Sequence, residues 1–163
     1  MSGHKRRLAK LLALPVLAAC GFLIAGTLAG VGAAHETTPP PTTAPPAGEG
    51  CTPGYWKNHP ESWPATGFST GQTLESVFDV PDGLGLDSKT LLAALQTGGG
   101  GVNALLRHAV AALLNSAHPS VDYDLTTAQV ISMTNAALAS GDYEPTKDIF
   151  EGFNEQSAPG FCD

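Results

Sequence analysis

The sequence predicts a small all-α domain, closed by one disulfide and carried behind an export segment. Three observations predict it. Beyond residue 50 the apolar residues recur at spacings of three and four, and no stretch alternates as a strand would. Two cysteines, Cys51 and Cys162, stand at opposite ends of that same region. A basic and then apolar leader, followed by a proline-rich stretch, comes before it. At 163 residues, 42% of them hydrophobic, the chain is long enough for one domain with a core once the leader is set aside.

Residues 1–34 read as a signal peptide or membrane anchor. Lys5, Arg6, Arg7 and Lys10 precede an apolar run from Leu11 to Ala34, which ends in the small residues Val31-Gly-Ala-Ala34 where a signal peptidase would cut. Two alternatives stay open. The run approaches the ~20 residues that span a bilayer, so it could stay as an anchor, and Leu17-Ala-Ala-Cys20 has the form of a lipobox whose Cys20 would be lipidated. All three place the remainder of the chain outside the cytoplasm, either secreted or attached to the cell envelope, with the membrane touched only through this segment.

Residues 35–50 are expected to be a disordered linker. Their Thr and Pro cannot form a core, and they favour extended polyproline geometry at about 3 Å per residue, a spacer between membrane and domain. From Cys51 onward there are four basic residues, Lys57, Lys89, Arg107 and Lys147, against thirteen carboxylates, a net −9. Such a surface repels phosphate backbones, which argues against nucleic acid as a partner.

Residues 51–163 form the predicted domain. Cys51 and Cys162 are 111 positions apart, and joining them would remove roughly 4–5 kcal/mol of unfolded-state entropy on the loop-closure account. A metal site is the rival use, but the pair lacks the Cys-x-x-Cys spacing of zinc sites. About four main helices come after an irregular aromatic segment. Asp87 is placed to cap the first, through Leu91, Leu92 and Leu95 to the glycines 98–101. The second carries Val102, Leu105, Leu106, Ala109, Val110, Leu113 and Ala117 at helical spacing, with Ala112 and Leu114 widening its apolar surface, and stops at His118-Pro119. Thr126-Thr-Ala-Gln129 has capping-box spacing, with Leu125 and Val130 as a hydrophobic staple, and its helix runs to Ser140-Gly141. A last helix starts at Pro145 and offers Ile149, Phe150 and Phe153 to the core.

Two motifs stand out: Cys51-Thr-Pro-Gly-Tyr-Trp-Lys-Asn-His59 with Trp63, and Arg107-His-Ala-Val-Ala-Ala-Leu-Leu-Asn115. Together they resemble a family of exported bacterial domains of unknown function, often found on surface or secreted proteins. The resemblance covers nearly all of residues 51–162 and implies a location without implying catalytic residues or a cofactor.

Physically, the two motifs predict a meeting. His108, Ala111 or Ala112, Asn115 and His118 fall near one helical face, where alanines let another segment approach closely. In the leading reading Tyr55, Trp56 and Trp63 pack there, while Asn58, His59, Arg107, His108 and Asn115 satisfy the backbone of the aromatic segment. Two others stay open: a metal site from His59, His108 and His118 with a carboxylate, and a groove whose aromatic rings stack on a sugar or peptide.

Lesser matches point to turns. Gly67-Phe-Ser-Thr-Gly71 has a nucleophile-elbow pattern around Ser69 but no preceding strand. Asp79, Asp82 and Asp87 resemble one calcium turn without the tandem copies such turns use. The glycines before Val102 lack the Lys-Ser/Thr of a phosphate loop. The expected function is thus non-catalytic: a structural, adhesive or ligand-binding domain of a bacterial surface, facing a wall glycan, peptide or protein. Metal binding and a small extracellular hydrolase are the alternatives.

Overall fold

A computed structural model describes residues 48–162. The expected signal or anchor, the lipobox Cys20 and the Thr/Pro-rich stretch up to residue 47 lie outside the described residues. The described part is all-α: helices α1 (Pro53–Asn58), α2 (Leu91–Gln96), α3 (Val102–Ala117), α4 (Thr127–Ser140) and α5 (Glu144–Asn154), with three short 3-10 stretches between α1 and α2. No helix among these residues is long and apolar enough to cross a membrane.

Three of the helices, α1, α2 and α4, start where a threonine side chain accepts from a bare N–H group of the first turn. Thr52 caps α1 by accepting from the Tyr55 amide at 3.2 Å, with Pro53 in the first turn. That helix stops at His59-Pro60, and a 3-10 stretch, Pro60–Thr66, carries the chain to Gly67 in left-handed geometry. The aromatic segment is therefore two short helical pieces.

The cap of α2 is Thr90, whose Oγ1 accepts from Ala93 N at 3.1 Å; the expected Asp87 lies three residues too early. An isolated antiparallel bridge, Thr73 to Thr90, explains the shift. It holds the chain extended up to Thr90, with Leu74 N donating to Lys89 O and Leu91 N donating to Gln72 O, each at 2.8 Å. The capping box of α4 forms as spaced: Gln129 N donates to Thr126 Oγ1 at 3.3 Å and Thr126 N to Gln129 Oε1 at 2.8 Å. Gly141, at φ 76°, ends that helix.

The core is organised around α3. Eleven of its sixteen residues are buried, and α1, α2, α4 and α5 all pack against it. Such a helix holds neighbours on every side, so its apolar residues run right around the cylinder. Trp56, Trp63, Phe78 and Phe150 are the largest fully buried side chains around it. The ends of the domain meet: Cys51 and Cys162 form the expected disulfide, with Cα atoms 5.7 Å apart. Gly50 bridges Ser157, and Glu49 N donates to Asp122 O at 2.7 Å, so residues 49 and 50, placed in the linker by composition, are part of the folded body.

Candidate functional site

The two sequence motifs meet at the side-chain amide of Asn115, which is fully buried. Its Oδ1 accepts from Cys51 N at 3.0 Å and Trp56 Nε1 at 2.9 Å. Its Nδ2 donates to Cys51 O and to Asn154 Oδ1, both at 2.9 Å. One amide thus uses its full capacity of two donors and two acceptor positions. Because Asn115 lies on the last full turn of α3, it can serve both the start of the chain and the end of α5.

The network extends outward from there. Asn154 Nδ2 donates to His108 O at 3.0 Å, and Tyr123 Oη donates to Asn154 Oδ1 at 2.9 Å. Burial raises the Tyr123 phenol well above its ordinary range, so it stays a neutral donor. Trp63 Nε1 donates to Trp56 O at 3.0 Å, which pins the 3-10 stretch onto α1. Every indole N–H in the domain is thereby satisfied in the interior.

Above this layer runs a row of rings. His59 stacks on Tyr55 at 4.4 Å, Tyr55 leans on Phe161 at 5.4 Å, and Phe161 stacks on His118 at 4.2 Å. Phe161 also lies 6.0 Å from Trp56, so the disulfide-held tail roofs the tryptophan.

The structure brings together Tyr55, Trp56, Trp63, Asn115 and the Cys51–Cys162 pair. It leaves Asn58 and His59 exposed, outside the buried network. With Trp56 turned inward, Asn58, two positions on, falls on the opposite side of α1, while His59, the C-cap, turns its ring onto Tyr55. His59 Nδ1 instead pairs with Glu61 Oε1 at 2.8 Å. A backbone hydrogen bond first, and His59 second, hold the Glu61 carboxyl below the usual range. Arg107 is also elsewhere, its Nη1 donating to Thr97 O at 3.0 Å and Gly99 O at 3.3 Å across the glycine loop. His108 turns toward α5, with Nε2 3.8 Å from Glu151 Oε1.

The three histidines weighed as metal ligands therefore sit in separate settings. His118 Nδ1 accepts from Ser120 N at 3.2 Å, and burial lowers its pKa. Among the described residues no three His, Cys, Asp or Glu side chains gather around a possible ion. Asp79 Oδ2 accepts from Asn135 Nδ2 at 2.9 Å, tying its loop to α4, and Ser69 is exposed beyond the left-handed Gly67. No pocket opens among the described residues.

Asn154 and Tyr123 escaped the sequence reading. Asn154 falls four residues after Phe150, hence on the core face of α5, and that spacing was the one available signal.

A family model described as the Protodermal factor 1 C-terminal domain matches residues 51–157, more than half of the chain. No curated protein and no solved structure matches. The resemblance to bacterial domains of unknown function is thereby corrected, because the matching family is a plant family and its match starts at the very Cys51 motif that carried the resemblance. The chain belongs to the Protodermal factor 1 C-terminal domain family.

Proposed function

We propose that this chain is an exported, non-catalytic module of the cell surface or extracellular matrix. A Thr/Pro-rich spacer carries a disulfide-closed helical domain outside the membrane, where the domain acts as a structural or adhesive unit. The observation that carries this reading is the use of Asn115. The motif residues most suggestive of a site, Trp56, Trp63 and Asn115, are buried and spend their polar atoms on one another and on Cys51. Interaction then falls to the outer surface, whose negative charge suits a neutral glycan, a basic peptide or another protein. The Cys51–Cys162 bond supports an oxidising location.

The test is fractionation of the full chain expressed in its own host, with thiol alkylation and co-sedimentation. Export predicts recovery outside the cytoplasm, with Cys51 and Cys162 unreactive until reduced. Recovery in the cytosol with two reactive thiols would overturn it. Adhesion predicts co-sedimentation with the host's insoluble wall or matrix material; a folded protein that stays in the supernatant leaves the structural role alone. Release of soluble sugar or peptide, abolished in His59→Ala or His108→Ala at unchanged melting temperature, would replace the reading by a hydrolase.

A further inference from the structure

His108 lies where α3 meets α5, in surroundings that suit only the neutral ring. Its side chain is 9% exposed and its Nε2 faces Glu151 Oε1 at 3.8 Å. Its Nδ1 is buried with no hydrogen-bond partner among the described residues. A neutral imidazole leaves one acceptor nitrogen bare there, whereas an imidazolium carries N–H on both sides and needs two acceptors. The seam supplies one at long range and none for the other.

The charges nearby do not make up the difference. Glu151 already accepts from Lys147 Nζ at 3.0 Å, and Lys147 also pairs with Asp148 and with Glu144 at 3.6 Å. Glu151 on α5 and Glu155 just past its end favour a charged ring, while Arg107 on α3 and Lys147 on α5 oppose it. Of the other elements packed on α3, α2 and α4 contain no charged residue, α1 carries Lys57 and the 3-10 stretch Pro60–Thr66 carries Glu61. Burial is the largest influence and holds His108 below the ordinary histidine range.

The backbone of the same residue is wired to the centre of the domain. Asn154 donates to the His108 carbonyl, Asn115 donates to Asn154, and Trp56 donates to Asn115. Movement of α5 at His108 thus reaches Trp56 and Cys51.

We propose that His108 is an acid-operated latch on the α3–α5 seam. Its protonation lifts α5 from α3 until water reaches both ring nitrogens, and the Asn154–Asn115 link loosens with it. The Cys51–Cys162 bond keeps the lifted segment tethered, so that it docks again when the proton leaves. An opened ring titrates at about 6.5 and the docked ring lower, so docking is complete above about pH 6.5 and weakens as the pH falls below it. The latch rests on the seam geometry and is independent of where the protein resides.

Amide hydrogen exchange of the oxidised full chain tests it, at about pH 7.5 and about pH 5 with intrinsic rates corrected. The expected result is a loss of protection in α5 of about tenfold or more at the lower pH, while α4 is unchanged. His108→Gln, which cannot take a charge, should remove that dependence, and His118→Gln should keep it. Equal protection at both pH values overturns the latch, as does the same loss in His108→Gln or its disappearance in His118→Gln. Should His108→Gln not fold, ring and amide titration of the wild type by NMR decides. A His108 midpoint below about 6.5, shared by the α5 amides, supports the latch; α5 amides that do not track the ring overturn it.

Discussion

Replacing Asn115 by alanine removes four hydrogen bonds at once and strands the groups on their far ends. Cys51 N, Cys51 O and Trp56 Nε1 are left in the interior with no other partner, while Asn154 Oδ1 keeps the Tyr123 hydroxyl. Each buried polar group left unmade costs about 1–3 kcal/mol, and a water entering the vacated space recovers part of it. Three such groups give an expected loss of roughly 3–6 kcal/mol, a large fraction of the stability of a domain this size. Asn115→Asp is the sharper variant. It keeps Oδ1 but turns an oxygen toward Cys51 O and Asn154 Oδ1, so it should be about as damaging at neutral pH and milder once acid protonates the new carboxyl. The assay is urea unfolding of the oxidised protein monitored by tryptophan fluorescence, compared through midpoint and slope. His59→Ala, on the exposed side of α1, should fall within about 0.5 kcal/mol of wild type in the same assay. A loss below about 1 kcal/mol for Asn115→Ala would refute the reasoning, because it would mean that the stranded groups find other partners.

The same geometry yields three further expected outcomes. The double serine variant of Cys51 and Cys162, whose bond closes a separation of 111 residues, should lose roughly 5 kcal/mol on the loop-closure account, read as a lowered urea midpoint. Gly50→Ala should destabilise by about 1–3 kcal/mol, since the added methyl would meet the Phe153 carbonyl oxygen and push this segment off Ser157; an unchanged melting temperature would show that the Gly50–Ser157 bridge does not bear on the fold. Thr126→Ala breaks the α4 capping box and should cost about 1 kcal/mol, with a local rise in exchange of the first-turn amides.

Helix α3 was legible because its apolar residues keep helical spacing for four turns, and the α4 start because a capping box is a local code. The disulfide was legible from two cysteines at the domain ends. The cap of α2 was not, because Thr90 is selected over Asp87 by a bridge to Thr73, seventeen residues away in sequence. In the candidate site, the meeting of Trp56 with Asn115 could be read from indole, small residues and amide placed on two segments. Asn58 falls outside that meeting because it stands two positions round α1 from Trp56, and His59 because α1 ends before it and its ring stacks on Tyr55. Asn154 carried too weak a signal: one amide in a charged helix becomes a core residue only after α5 docks.

The central claim is that Trp56 and Trp63 are core residues, and iodide quenching of tryptophan emission in the oxidised protein tests it most directly. At 0% and 1% exposure, both should emit at short wavelength and resist quenching until the protein unfolds. Emission near that of free indole, readily quenched in the folded protein, would contradict the account and return the aromatic segment to the surface as a binding face.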